Sequence, residues 1–147
     1  MQFLFNKRLL LDYEVIQKFE AGIELEGTEV KAVRAKLGSL QGAYVTVRGG
    51  EAFLINAFIP PYQEKNAPKG YDPRQNRRLL VTKAEILVLG AIENQKGLTI
   101  APVSMYSNGR KVKAEIAVVR GKKQYDKRQD LKKRTDLRDA DREARGR

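Results

Sequence analysis

The side chains in this chain that could do chemistry are mostly cations. The stretch "RGKKQYDKR" at 120–128 sets Arg120, Lys122, Lys123, Lys127 and Arg128 around Tyr125, with Asp126 beside the ring. Cations seek phosphates, and a ring among them is able to stack on an exposed base. A second group, Arg74, Arg77 and Arg78, closes a proline-rich stretch. A third pair, Lys31 and Arg34, is three residues apart, which makes the two neighbours on one helix face. For two charges, spacing alone reads that as a solvated face. The chemistry on offer is polyanion binding. The chain has no histidine and no cysteine, which removes the commonest general base and every thiolate. It has no Walker loop, no G-x-S-x-G turn and no dinucleotide fingerprint. No Asp and Glu cluster has metal-ligand spacing. Neither a metal nor a cofactor is expected.

Charge and length set the frame for these groups. The formal net charge is +11 over 147 residues. Residues 120–147 hold twelve Lys or Arg against six Asp or Glu, so they supply +6 and the rest of the chain +5. Because both parts are basic, a polyanion is a simpler explanation than solubility. The length suits one compact domain with an appendage, divided as 1–120 and 121–147. The start "MQFLFNKRLLLDYE" interrupts its apolar stretches with Asn-Lys-Arg and offers no cleavage site, so no signal peptide is expected. No apolar run approaches the about 18 residues of a membrane span, so no membrane partner is expected. The expected compartment is the cytoplasm, where nucleic acid is the abundant polyanion.

The elements that must position the cations follow from patterning. Residues 12–26 alternate in parts, with Tyr13, Val15, Gln17, Phe19 and Ala21 on one face, and predict one long strand bent at Gly22. Val30, Val33 and Leu37 lie at i, i+3, i+7, which predicts a helix capped by Thr28 and closed by Gly38. Gly49-Gly50 between two β-rich runs predicts a hairpin. Residues 60–77 hold four of the five prolines and predict a long loop. Thr82 and Glu85 form a capping box before Ile86, Leu89 and Ile92, which predicts the clearest helix. Asn108-Gly109 predicts a second hairpin, whose later strand puts Val112, Ala114, Ile116 and Val118 on one face. Strand runs joined by tight turns in so small a domain predict a mostly β fold, a closed antiparallel barrel with two or three short peripheral helices. After Gly121 little remains to bury. Leu131 and Leu137 are six apart and cannot share a helix face. The basic tail is therefore expected to be disordered when free and helical when a partner neutralises it.

Several long motifs, in order, carry a resemblance. "FEAGIELEGTEVKAVR", "YDPRQNRRLLVTKAEI" and "RGKKQYDKR" resemble small protein B, the SsrA-binding protein family of bacterial trans-translation. The likeness runs from about Asn6 into the tail. It implies an antiparallel β-barrel of oligonucleotide-binding type with no catalytic activity. It implies binding to the tRNA-like domain of transfer-messenger RNA (SsrA RNA), promotion of that RNA's aminoacylation, and delivery to stalled ribosomes in a complex with elongation factor Tu and GTP. On the barrel, Asn6, Lys7, Glu20, Lys31, Arg34, Arg77, Arg78 and Leu80 are the implied RNA-binding residues. The bland alternatives are a structural pairing for Glu20 and ordinary core for Leu80. In the tail, Arg120, Lys122, Lys123, Tyr125, Asp126, Lys127 and Arg128 are implied to meet ribosomal RNA at the small-subunit decoding region. Two positions depart from the family pattern. Tyr71 stands where His is common before Asp-Pro, and Gln75 where Arg is common. The rival from another class is a structural protein bound permanently to ribosomal RNA. A small nuclease is a weaker rival, lacking a clear base or metal set.

Overall fold

The computed structural model describes residues 2–63 and 69–122. Within them lie β1 (Gln2–Phe5), α1 (Lys7–Asp12), β2 (Tyr13–Ile23), α2 (Gly27–Arg34), β3 (Tyr44–Arg48), β4 (Glu51–Ile55), β5 (Arg77–Leu80), α3 (Lys83–Glu93), β6 (Leu98–Asn108) and β7 (Lys111–Gly121). The seven strands form one antiparallel sheet in the order β1-β6-β7-β2-β5-β4-β3. The expected ring of ladders is not closed, because the order has two ends, β1 and β3, and no ladder joins them among the described residues. The reason is local. The Val47 amide on the outer edge of β3 donates to the Glu93 carboxylate of α3 at 3.0 Å, so a side chain takes the place of a partner strand. β3 nevertheless packs against β6, so the sheet curls on itself.

Two bulges divide the interior. Register shifts between Val15 and Gln17 on β2 and between Pro102 and Ser104 on β6. Each extra residue switches which face the following side chains take. The main core gathers Leu54, Ile59, Leu89, Ile100, Met105 and Ile116, with Phe19, Ala21 and Ile23 from β2. A smaller cluster of Ala101, Val103, Ala117 and Val119, with Tyr13 and Val15, seats Leu9 of α1. The single face expected for Tyr13 through Ala21 is thus split at Ile16, and the irregularity is there rather than at Gly22. Gly22 has a different task. It pairs with Leu80, and a Cβ on it would lie 3.1 Å from the Leu80 Cβ, so its bareness lets β2 and β5 approach. On β7, Val112, Ala114, Ile116 and Val118 face the main core as the alternation requires.

Local signals placed most turns and caps. Gly49 and Gly50 take φ 59° and 77° between the paired Arg48 and Glu51, the positive values a two-residue hairpin turn needs at both positions. Asn108 pairs with Lys111, so the second turn is Gly109-Arg110, one residue later than expected. α3 starts at Thr82 with its capping box, Glu85 N–H to the Thr82 hydroxyl at 3.2 Å and Thr82 N–H to the Glu85 carboxylate at 3.0 Å. α2 differs from expectation. Its N-cap is Glu26, whose N–H donates to the Glu29 carboxylate at 2.9 Å, and it ends before Gly38. Val33 is buried as predicted, but Leu37 lies beyond the helix and is exposed. Arg77, the last residue of the expected loop, instead opens β5, which runs to Leu80 between β2 and β4.

Candidate nucleic-acid interface

Cations that already face a carboxylate have less to offer a phosphate. Arg8 pairs with Asp12 at 3.0 Å, Lys18 with Glu115 at 3.2 Å, and Arg120 with Glu14 at 3.1 Å. Arg78 is shared between Glu24 and Glu51, both at 3.3 Å. Among the described residues Lys7, Lys31, Arg34, Lys36, Lys69, Arg74, Lys83, Lys96, Arg110 and Lys111 face no carboxylate within 4.0 Å. Four of these gather at one end of the sheet. Arg34 donates to the Arg110 carbonyl at 2.8 Å and lies 5.6 Å over the Phe3 ring, which joins α2, with Lys31 one turn earlier, to the β6–β7 turn. Beside that joint a cleft of about 290 Å³ is lined by Ile23, Leu25, Val30 and Leu80 and by Arg110, Lys111 and Lys113. Leu80 is 47% exposed, an apolar side chain left open to solvent among cations. Apolar surface under a positive rim suits the face of a base with its flanking phosphates.

Glu20 stands next to this cleft. Its carboxylate is 3.7 Å from the Lys113 ammonium and accepts a hydrogen bond from Tyr106. Burial first, then the Glu20 hydrogen bond and charge, push the Tyr106 hydroxyl up to about 12. Glu20 therefore holds Lys113 and Tyr106 in place while more than half of its own side chain stays exposed, which leaves carboxylate surface for base amino groups.

Arg77 and Asn6 are placed otherwise than the resemblance implies. Adjacent residues of a strand point to opposite sides, so Arg78 is exposed and Arg77 is buried. Arg77 and Glu29 are each only 2% exposed at the side chain and 2.6 Å apart. Arg77 also donates to the carbonyls of Ala57 (2.7 Å) and Pro73 (2.9 Å). Its guanidinium is committed inside the protein and has no surface to present to a phosphate. Burial alone would raise the Glu29 pKa. The Glu26 amide, the Arg77 hydrogen bond and charge, and Gln75 outweigh it, and the carboxyl is held below its ordinary value. The Tyr71 hydroxyl lies 2.7 Å from the Ile59 carbonyl oxygen and 3.1 Å from Glu29, and accepts from Arg77 at 3.3 Å. Desolvation, then Glu29, push it up to about 12. Gln75 donates to Glu29 at 3.3 Å. Both departures from the family pattern, Tyr71 and Gln75, thus turn inward onto one buried carboxylate. Asn6 is buried too. It donates to the carbonyls of Leu40 (3.2 Å) and Pro102 (3.1 Å), and its oxygen caps α1 at the Leu9 amide.

The structure lines one cleft with Leu80, Arg110, Lys111 and Lys113, which Glu20 reaches through Lys113 and Arg34 through the Arg110 carbonyl; the three cations around the second turn are not among the site residues that the sequence singled out. Their signal was present: lysines alternating with core residues directly after a turn. Lys7 lies on α1. Lys122 closes the described chain, its N–H bonded to the Asp12 carbonyl at 2.9 Å and its ammonium to that of Leu10 at 3.1 Å. Lys123, Tyr125, Asp126, Lys127 and Arg128, with the expected disorder of the tail, lie outside the described residues. Among the described residues no helix is long and apolar enough to cross a membrane.

Comparison with known proteins bears on the whole chain. The family model of the SmpB protein matches residues 3–146. This chain belongs to the SmpB family. It is 51% identical to the SsrA-binding protein of Microcystis aeruginosa over 127 residues, 86% of this chain and 82% of that one. It is 47% identical to the SsrA-binding protein of Thermosipho africanus, over 88% of this chain and 87% of the relative. The SsrA-binding protein of Clostridium tetani is 44% identical over 97% of this chain and 90% of its own. Among solved structures, a chain of "tmRNA-SmpB: a journey to the center of the bacterial ribosome" superposes with a TM-score of 0.71 at 39% identity. The match covers 84% of this chain and 87% of that one.

Proposed function

We propose that this chain is the RNA-binding adaptor of trans-translation. It binds the tRNA-like domain of transfer-messenger RNA, promotes its aminoacylation, and delivers it to stalled ribosomes for rescue and nascent-chain tagging. The observation that carries this is the SmpB family match over residues 3–146, with relatives named for SsrA binding across nearly the same span. The cation-rimmed cleft around Leu80 supports it as the place where the barrel meets the RNA. In this reading the curled sheet works as an open barrel of oligonucleotide-binding type. Glu20, Lys31, Arg34 and Leu80 contact the RNA, Lys7 and Arg78 add charge near it, and Asn6 and Arg77 hold the surface in shape from beneath. The residues from Arg120 through Arg128 belong to the second step, against ribosomal RNA in the decoding region. Elongation factor Tu with GTP completes the delivery complex. The protein acts in the cytoplasm, by binding and without catalysing a bond change.

Sequencing the RNA that co-purifies from the native host tests the proposal. The expected result is one dominant tRNA-like species at less than one protein per ribosome. Stoichiometric recovery with ribosomes and no such RNA would instead make it a structural ribosomal protein. Glu20→Ala gives a residue-level check. Removing an acid from a basic protein should raise non-specific attraction to RNA. The expected loss of about 1–3 kcal/mol of affinity therefore reports a specific contact, and tighter binding overturns it.

A further inference from the structure

Arg74 is exposed and lies outside the Leu80 cleft. It faces no carboxylate within 4.0 Å, yet its side chain is held. Its Nη1 donates to the Asn56 carbonyl oxygen and to the Asn56 Oδ1, each at 3.3 Å, and its guanidinium lies 5.1 Å over the Phe58 ring. Among the described cations that face no carboxylate, only Arg34 is likewise held by both a hydrogen bond and a ring. The mounting beneath Arg74 is fixed as well. The Pro73 carbonyl accepts from the Ile59 amide and from Arg77, each at 2.9 Å. The Arg74 amide donates to the Asp72 carboxylate at 2.9 Å. Asn56 holds φ 64°, in the left-handed region. Glycine would take that conformation at no steric cost. It would lack both the Oδ1 that holds Arg74 and the side-chain amide that donates to the Gly42 carbonyl at 3.3 Å. Asparagine here therefore accepts backbone strain and gains a guanidinium fixed in place.

The contacts occupy Nη1 alone. Nε and Nη2, the two donors along the side of the guanidinium, meet no acceptor among the described residues. Parallel N–H groups of this kind fit two oxygens of one phosphate, and a fork that is already fixed loses little freedom on binding. We infer that Arg74 is a phosphate-binding residue, whose Nε–Nη2 edge takes one phosphodiester of the tRNA-like RNA. This rests on the adaptor function proposed above. A polyanion is favoured over the carboxylate of a protein, because the chain carries a net charge of +11. Arg74 also leads directly into β5, whose far end presents Leu80 to the cleft. From Arg77 to Leu80 that strand runs about 10 Å, so Arg74 is a second point of contact, beyond reach of a phosphate seated in the cleft.

The test titrates the isolated tRNA-like RNA, at several salt concentrations, with the full chain and with its Arg74→Gln and Arg74→Lys variants. One phosphate contact contributes about −0.9 to the log–log salt slope, which is about eightfold in affinity between 1 M and 0.1 M salt. Arg74→Gln should make the slope shallower by about 0.9 and weaken binding about eightfold at 0.1 M salt, with a melt as cooperative as that of the unaltered chain. Arg74→Lys should keep the slope and recover only part of the affinity, because an ammonium has no fork. Ethylating the RNA phosphates should reveal one that the unaltered chain needs and the Arg74→Gln chain ignores. An unchanged slope in Arg74→Gln overturns the inference whether affinity holds or falls, since a residue that only staples its loop leaves the number of phosphates unaltered. Full recovery by Arg74→Lys overturns it too, because the fixed fork would then be idle, and so does an effect seen only on ribosomes. If the unaltered chain fails to bind the tRNA-like RNA, the adaptor reading falls and this assignment with it. Binding that ignores position 74 overturns the assignment alone.

Discussion

The Glu29–Arg77 pair shows how much a single side chain's surroundings decide. In the sequence, Arg77 and Arg78 are one basic dipeptide. In the fold they diverge, one toward the interior and the other toward Glu24 and Glu51. Removing one member of a buried pair leaves an uncompensated charge, which costs about 3–5 kcal/mol. Glu29→Ala should therefore destabilise the protein by that amount in chemical denaturation. Replacing both residues, Glu29→Leu with Arg77→Met, should recover most of it. If the double change is as harmful as the single one, the pair is needed for more than charge balance. The tyrosines give a pH signature. Tyr71 and Tyr106 are raised to about 12 in the fold from 10.0, so the folded state keeps their protons longer. Their stability contribution is whole below about pH 10 and is lost as pH rises toward 12. Glu29 and Glu93 are lowered from 4.5, so theirs is present above that value and lost as pH falls below it. Thermal melts across pH should show a plateau between about pH 5 and 10 with a decline on each side. Tyr71→Phe should shrink the alkaline decline, and an unchanged decline would show that the tyrosine proton is not linked to folding.

At the scale of elements, what the sequence disclosed was what local chemistry sets. The Thr82 capping box and the Gly49-Gly50 turn each rest on residues within four positions of one another, and both stand where expected. β5 was hidden because Arg77–Leu80 has only four residues and owes its strand form to β2 and β4. The bulges at Ile16 and Val103 were hidden because neither carries the glycine that can mark a bulge, and each arises from a mismatch between two strands. The cleft was half legible, since Lys111 and Lys113 alternate visibly while the long-range approach of Leu80 to Gly22 does not. Gly38 supplies a prediction here. It holds φ 117°, and a Cβ on it would lie 2.6 Å from the Phe58 carbonyl oxygen. Both strain and clash oppose a side chain, so Gly38→Ala should cost about 1–3 kcal/mol, readable as a lower denaturation midpoint. Gly22→Ala is the milder partner change. It presses first on Leu80 and should weaken RNA binding more than it lowers stability.

For the whole molecule, the proposed division into a sheet domain and a tail turns on where the ladders end. β7 pairs through Gly121 with Tyr13, and Lys122 is tied to Asp12 and Leu10 of α1. The boundary expected after residue 120 therefore cuts a strand, and a boundary after Lys122 spares it. A chain ending at Lys122 should melt as the full chain does and bind the tRNA-like RNA nearly as well, while failing to tag stalled nascent chains. A chain ending at Arg120 should melt lower, because it loses a strand-end pair and both contacts of Lys122 to α1. Salt dependence decides whether the barrel alone carries the RNA contact. If the free cations of the cleft and its surroundings neutralise about four to six phosphates, the log–log salt slope should be roughly −3 to −5 for the chain ending at Lys122. The full chain should show nearly the same slope, even though residues 123–147 carry ten Lys or Arg against six Asp or Glu. A slope that steepens by several units when those residues are present would mean that they bind the tRNA-like RNA directly. The two-step division, barrel to RNA first and tail to ribosome second, would then have to be abandoned.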